Sequence, residues 1–594
     1  MSLPIEDYAL IGDCHTAALI GRDGSIDWLC FPRFDSPSIF GALLGDSDHG
    51  RWLLAPDAEV LETSRAYLGD TFTLRTRWVT ATGEVEVDEL MPIGDRRADI
   101  IRRVRGIRGS VAMRQEVRMR FDYADALPWV RQLDDEDGIV AVAGPDAIIL
   151  RGVHLTPTDD RSHEAHFTVT EGETVDLTLT WYPSHRDSPP ALDVDERMRE
   201  TAAWWDEWLG ASVLPGQFSA EVRRSLLILR ALTHEDTGGI VAAATTSLPE
   251  QFGGQRNWDY RYVWLRDASL TLDALLRHGF RSEAEGWRGW LLRTIAGDPG
   301  DVQIMYGLAG ERRLIESELA GLPGYQGASP VRIGNGAYTQ YQGDVFGEVM
   351  LALQHARQIG AGEDDFSWPL QRALMGFVEE NWHRKDNGIW EIRGELQHFV
   401  HSRVMLWAAF DCAIRAVEDF GLDGPIERWR YLRAEIAAEI EEYGFDRQRN
   451  TYTQYYGSTE VDASLLVLPQ TGYLTADDPR MLGTVAAIES ELLEHGLAMR
   501  YRTESGVDGL PSGENPFLAC SFWLVEQYAM SGRIDDAVAL MGRLCSFAND
   551  VGLLSEQYDP VAQRQAGNTP QALSHLALVR AADAIELARD RVQS

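Results

Sequence analysis

The alternation of apolar and polar positions divides the chain in two. Over the first third its period is two. In "TFTLRTRWV", Phe72, Leu74 and Trp78 alternate with Thr73, Arg75 and Arg77, the pattern of a strand with one buried face. "EVEVDEL" repeats it after a turn at Thr82-Gly83, and "TVDLTLTW" does so again through Val175, Leu177, Leu179 and Trp181. Asp23-Gly24 separates two short apolar runs in "TAALIGRDGSIDWLC", which predicts a hairpin. Short alternating strands with Gly and Asp turns predict an antiparallel β-sandwich over residues 1–190.

Near residue 190 the period changes. "SPPALDVDERMRETAAWWDEWLG" passes from a proline-marked loop into a helical linker, taken as 191–218. "SAEVRRSLLILRAL" then sets Val222, Leu226 and Leu229 at helical spacing. About a dozen such segments follow, joined by long loops rich in Gly, Trp and Tyr. Loops of that length in a compact domain usually carry function. The segments lack the fixed period of a helical repeat array, so a closed helical toroid over 219–594 is the expectation.

Charge and cysteine usage narrow the partners. Asp and Glu number 92 against 55 Lys and Arg, a net charge of −37. That field repels phosphate backbones and anionic surfaces, so nucleic acid and membrane are excluded as partners and a small neutral ligand is expected. No apolar run approaches the roughly 18 residues of a membrane span. The start "MSLPIEDYALIGD" shows no basic n-region or apolar core of a secretory signal. The 5 cysteines are odd in number and lack CxxC spacing, which points to a reducing, cytoplasmic setting. "HEAH" (163–166) and "HFVH" (398–401) are not HExxH; they read as a strand edge and a helix start, and neither a metal nor a cofactor is expected. A homo-oligomer is compatible with the sequence.

Four loop segments combine carboxylates with aromatic rings. "NWDYRYVWLRD" (257–267) carries Tyr260, Trp264, Arg266 and Asp267 just ahead of a helix. Trp and Tyr faces stack on sugar C–H surfaces, and an Arg-Asp pair offers fixed donors and acceptors for hydroxyls. A packed aromatic loop with Asp267 as helix N-cap accounts for the same residues. "NGAYTQYQGD" carries Tyr338, Gln342 and Asp344, and reads equally as a turn followed by a cap.

The third segment, "NGIWEIRGELQHFVHS", places Glu391 after Trp390 and between Ile389 and Ile392. An indole and aliphatic side chains exclude water and raise a carboxyl pKa, as a general acid requires. An exposed strand residue paired with Arg393 is the alternative. In the fourth, "GLLSEQYDP", Gln557 and Tyr558 follow Glu556, and with the neighbouring backbone they are expected to hydrogen-bond it and hold it ionised, as a general base requires. Two carboxylates in contrasting settings are the minimum equipment of a glycosidase. Spacing alone does not bring them together.

Taken together, "YVWLRD", "WEIRGE", "GENPFLACSFWLVEQ" and "LLSEQYD" resemble, in order, the motifs of glycoside hydrolase family 15, the glucoamylase and bacterial trehalase family. The N-terminal "PIEDYALIGDCHTAALIGRDGSIDWLCFPRFDSPSIFGALLG" resembles the β-sandwich of its bacterial trehalase-like members. The resemblance implies a β-sandwich followed by an (α/α)6 barrel that receives the non-reducing end of an α-glucoside. It implies Glu391 as general acid, Glu556 as general base, and Arg266 and Asp267 as ligands of the 4- and 6-hydroxyls. Tyr260 falls near the attacking water, Tyr338 stands where glucoamylases carry a tryptophan, and Arg502 is the candidate for the arginine ahead of the "NP" helix.

The implied reaction is hydrolysis with inversion, releasing β-glucose, with trehalose the first expectation. A maltose-, isomaltose- or glucan-directed α-glucosidase is the close rival, since all present the same terminal glucose. An inverting phosphorylase and a non-catalytic sugar-binding protein are the more distant alternatives.

Overall fold

The turn at Asp23-Gly24 forms a hairpin: strands Ala17–Gly21 and Ser25–Cys30 pair antiparallel on either side of it. Gly24 has φ +81°, and a Cβ there would fall 2.2 Å from the Leu54 carbonyl oxygen, so only glycine fits. The computed structural model describes residues 2–593 except 95, 211, 213–215, 359 and 361–365. Residues 211 and 213–215 of the expected linker therefore lie outside the described residues.

The alternation read from sequence is the alternation of burial. In strand Leu74–Thr80, Leu74, Thr76 and Trp78 are buried while Arg75 and Arg77 are half-buried. Its antiparallel partner Gly83–Leu90 sets Asp88 opposite Arg75, which donates to it at 2.6 and 2.9 Å. The long strand Ala98–Arg118 joins two antiparallel sheets. Its first half pairs with Gly83–Leu90 and Thr174–Pro183, its second half with Arg51–Pro56 and His163–Thr170.

Helices take over after Pro183. In chain order they are α1 (Val194–Gly210), α2 (Ser219–Ala231), α3 (Leu265–Arg277), α4 (Arg281–Thr294), α5 (Asp344–Gln358), α6 (Ser367–Asn381), α7 (Val400–Phe420), α8 (Ile426–Glu439), α9 (Pro479–Glu491), α10 (Leu518–Met530), α11 (Ile534–Cys545) and α12 (Ala572–Gln593). A 3₁₀ segment, Ala463–Thr471, lies between α8 and α9. α3, α5, α7, the 3₁₀ segment, α10 and α12 pack in a closed inner ring, with α12 returning to α3. α2, α4, α6, α8, α9 and α11 lie outside it, the arrangement of an (α/α)6 barrel.

Sequence decides which helix goes where. α10 is apolar on nearly every face and buried from Leu518 to Ala529, as an inner helix must be. α11 buries only Ala537, Met541 and Leu544, one stripe, and begins with Asp535 and Asp536.

The β-domain is tied to the loops that enter the inner helices. Trp28 Nε1 donates to the Ala244 carbonyl at 2.9 Å. Arg261, fully buried, donates to Asp259, to Tyr123 Oη at 2.9 Å and to the Ser36 carbonyl at 2.9 Å. On the other side, Asn549 Nδ2 donates to the carbonyls of Glu6 and Tyr8, and Arg564 Nε to Glu6 Oε1 at 2.8 Å.

Candidate active site

Each inner helix is entered through a long loop from an outer one, and these loops build the floor and walls of one cavity. It opens to solvent, takes in about 850 Å³ with the space at its mouth, and is lined by Tyr260, Trp264, Arg266, Asp267, Trp390 and Glu391, among others. Residues 260–262 form a loop that bends at Tyr262 and leads through the two-residue strand Val263–Trp264 into α3. Tyr260 faces the cavity and Arg261 faces the β-domain. Val263 and Trp264 pair with Tyr306 and Met305, and α3 starts at Leu265, which places Arg266 and Asp267 in its first turn.

Glu391 stands in the loop between α6 and α7 with φ +58°, a conformation costing a non-glycine residue about 1–3 kcal/mol. Surrounding bonds hold it there. Its N–H donates to the Gly388 carbonyl at 3.1 Å, and Gln340 Nε2 donates to the carbonyls of Glu391 and Ile392 at 3.0 and 3.1 Å. Trp264 Nε1 donates to Glu391 Oε1 at 2.5 Å, and Arg266 Nη2 reaches the same oxygen at 3.5 Å. The indole on this carboxyl is thus Trp264. Trp390, the neighbour singled out in sequence, lines the cavity but donates to Asp462 Oδ2 at 2.8 Å. Arg393 pairs with Glu316, not with Glu391.

Glu556 is almost fully buried in the loop between α11 and α12. Tyr260 Oη donates to its Oε1 at 2.7 Å, and its Oε2 has no bonding partner among the described residues. This corrects the expectation that the Gln557 and Tyr558 side chains supply the supporting bonds. Glu556 and Gln557 enter a short strand, where adjacent side chains point to opposite faces. Both polar atoms of Gln557 lack partners among the described residues, and Tyr558 stacks on Phe547 with centroids 3.9 Å apart.

The charge state of Glu391 follows the expectation and that of Glu556 does not. Burial raises the Glu391 carboxyl, against the pull of Arg266 and the Trp264 indole. Burial and the neighbouring Glu250 push Glu556 up to about 8, against Arg500 and the Tyr260 hydroxyl. A carboxyl held ionised was the expectation at 556. A single phenol donor in a dry site near a second acid gives the opposite tendency.

These motifs and this barrel match known proteins. The profile described as "Glycosyl hydrolases family 15" matches residues 219–583, and "Trehalase-like, N-terminal" matches residues 1–205. The chain belongs to glycosyl hydrolase family 15. Among its relatives, a trehalase of Mycobacterium tuberculosis is 37% identical over 611 residues, covering 97% of this chain and 89% of its own. A trehalase of Thermoplasma volcanium is 33% identical over 596 residues, covering 98% and 93%. A crystal structure of a bacterial glucoamylase complexed with acarbose shares the fold, with a TM-score of 0.75 at 13% identity over 99% of this chain and 94% of that one.

Within this family frame, four other sequence candidates sit differently from expectation. Gln342 and Asp344 are buried behind Arg266, which reaches them at 3.3 and 3.4 Å; they hold the guanidinium and do not line the cavity. Tyr338 faces a separate open groove with Gln303, Tyr341 and Arg384. Arg502 is exposed and donates to the Glu491 carbonyl at 3.2 Å, whereas Arg500, two residues earlier, is buried and lines the cavity. A 3₁₀ turn at Thr503–Ser505 begins at Arg502 and carries it outward.

Sequence reasoning also missed one wall. Glu250, Arg256, Asp508 and Arg500 form a buried ionic cluster there, and Phe517 and Trp523 add rings beside Trp390. "LPEQFGGQR" (248–256) and "MRYRTESGVD" (499–508) carry these charges without a distinguishing pattern. No cluster of His, Cys, Asp and Glu among the described residues has the makings of a metal site, and no helix among them is long and apolar enough to cross a membrane.

Proposed function

We propose that the protein hydrolyses α,α-trehalose to two glucose molecules by a single displacement with inversion. Glu391 gives its proton to the glycosidic oxygen as the C1–O bond breaks. A water attacks C1 from the opposite face, and Glu556 takes a proton from that water through its free Oε2. One carboxyl loses a proton and the other gains one, so a proton exchange between them resets the enzyme. Arg266 and Asp267 hold the hydroxyls of the reacting glucose, and the rings of Trp390 and Trp523 take its apolar faces. These steps use only side chains of the chain, and no cofactor takes part in the proposal.

The observation that carries this reading is the aromatic bridge between the carboxyls. Tyr260 donates to Glu556 and meets Trp264 edge-on with centroids 5.5 Å apart, and Trp264 donates to Glu391. Glu391 lines the cavity, while Glu556 lies buried behind Tyr260, whose ring does line it. Two acids bound to neighbouring rings in this way suit an inverting pair, which needs roughly 6.5–9.5 Å between carboxyls to admit a water. Trehalose is favoured over longer glucans because the relatives named trehalases match across the whole chain, β-domain included. The cytoplasmic setting belongs to this proposal and is supported by the free cysteines.

Incubation with trehalose, maltose, isomaltose and soluble starch tests the reading. Trehalose is expected to turn over fastest; faster glucose release from starch would overturn the substrate assignment.

A further inference from the structure

Glu250 is a carboxylate to which the proposed mechanism gives no part. It lies in the loop ahead of α3, its side chain is buried, and it shares the cavity wall with Tyr260 and Glu391. Trp258 Nε1 donates to its Oε1 at 3.1 Å and Arg500 Nη2 to its Oε2 at 2.8 Å. Backbone bonds fix the segment from several sides. Asn515 Nδ2 donates to the Glu250 carbonyl at 2.9 Å, the Glu250 N–H to the Arg256 carbonyl at 3.1 Å, and Gly567 N–H to the Pro249 carbonyl at 2.8 Å.

The last of these bonds places Glu250 next to the proposed base. Gly567 lies directly against Glu556: a Cβ there would stand 2.6 Å from Glu556 Oε2. The Glu556 N–H donates to the carbonyl of the following residue, Asn568, at 3.1 Å. One short stretch of backbone therefore holds the Glu250 loop and the Glu556 side chain together.

The charges in this wall do not balance. Two guanidiniums, Arg256 and Arg500, face Glu250, Glu514, Asp508 and Glu556. Arg500 divides itself between Glu250 and Glu514, donating to Glu514 through Nε at 3.1 Å. Arg256 goes to Asp508 at 2.6 Å and stands 3.7 Å from Glu514 and 4.0 Å from Glu250. Tyr501 Oη and the Leu510 N–H also donate to Asp508. Glu250 receives an indole and a guanidinium, Glu514 a guanidinium, and Asp508 a guanidinium, a phenol and an amide. Glu556 receives one phenol. No guanidinium among the described residues bonds to it, and Glu250 and Arg500 are the charges that act on it most strongly.

We propose that Glu250 is a positioning residue for the base: its charge, fixed by Trp258 and Arg500, makes Glu556 the acid of this cluster that accepts the proton of the attacking water. Two carboxylates in one dry site repel, and the one without a guanidinium partner gains most by protonation. Nothing bonds or transfers at Glu250 itself. The inference rests on the reading of Glu556 as the base.

The test is the pH dependence of kcat/KM on trehalose for Glu250→Gln, Glu250→Asp and Trp258→Phe. With Glu250 neutralised, Glu556 ionises more easily, so the rising limb is expected to move to lower pH by about one unit or more. kcat should fall on the plateau as the base weakens. Glu250→Asp keeps the charge and should keep the wild-type limb. Trp258→Phe removes only a donor to Glu250 and should move the limb the same way by less. A limb that stays in place in both Glu250→Gln and Trp258→Phe would overturn the inference and leave Glu250 a structural residue. Turnover by Glu556→Gln close to wild type would instead overturn the base assignment beneath it, so the two failures are told apart.

Discussion

Tyr260 and Glu556 lie 296 residues apart in sequence and 2.7 Å apart in the fold, joined by one hydrogen bond from phenol to carboxylate. The same ring packs against Trp264, which holds Glu391, so one tyrosine registers both acids of the site. Removing its hydroxyl should leave a buried carboxylate without that donor. Tyr260→Phe is expected to lower kcat by about 10–100-fold, a loss of roughly 1.5–3 kcal/mol from a bond to a charged group. Because the bond lowers the Glu556 pKa, its loss should also move the rising limb of the pH profile upward. An unchanged profile would show that the bond does not act on the reacting state.

The pH dependence itself follows from burial. Glu556 must be ionised to accept a proton, and its environment pushes it up to about 8. Activity is therefore expected to rise with pH through the neutral range towards about 8, not to reach its plateau near the ordinary glutamate value of about 4.3. A profile of kcat/KM between pH 4 and 9 checks this; a plateau already reached at pH 5 would contradict it.

Substituting either acid should abolish most of the turnover while leaving the fold intact. Glu391→Gln and Glu556→Gln are each expected to lower kcat on trehalose by about 10²–10⁴-fold, the usual scale of one acid or base. Steady-state kinetics on folded protein checks both. A variant within a few-fold of wild type would remove that residue from the mechanism.

The two arginines of "MRYRTES" should behave oppositely. Arg500 is buried and bonded to Glu250 and Glu514, so Arg500→Ala leaves two acids in the cavity wall without their guanidinium. Losses of about 3–5 kcal/mol are typical when one partner of a buried pair is removed. Activity and the denaturant midpoint should both fall. Arg502→Ala removes an exposed contact to a carbonyl and should stay near wild type in both.

These arginines also show where the sequence stopped being legible. The periods of two and of helical spacing gave the two-part fold because burial alone imposes them, and they did so at Trp78 and along α10. The ordered motifs singled out Glu391 and Glu556. What surrounds each acid was not readable from its neighbours. Trp390 and Tyr558 adjoin the acids in sequence but point elsewhere, while Trp264 and Tyr260 arrive from a distant loop. Gln342 and Asp344 carry the same chemistry whether they touch a ligand or support Arg266. Choosing Arg500 over Arg502 requires knowing that the chain turns at residue 503. The cluster around Glu250 is assembled from three loops and leaves no local pattern at all.

The β-domain is predicted to be part of the active unit. Arg261 is fully buried and ties the Tyr260 segment to Tyr123 and Ser36. Arg261→Met would strand Asp259, also fully buried, and is expected to destabilise by about 3–5 kcal/mol, read as a lowered denaturant midpoint. A midpoint equal to wild type would show that this tie is not needed.

The most direct test of the central claim is the anomeric form of glucose released from trehalose, followed by proton NMR before mutarotation. Single displacement at one C1 by Glu391 and Glu556 inverts that glucose and leaves the other untouched. The account predicts β- and α-glucose in equal initial amounts. Initial release of α-glucose alone would contradict it.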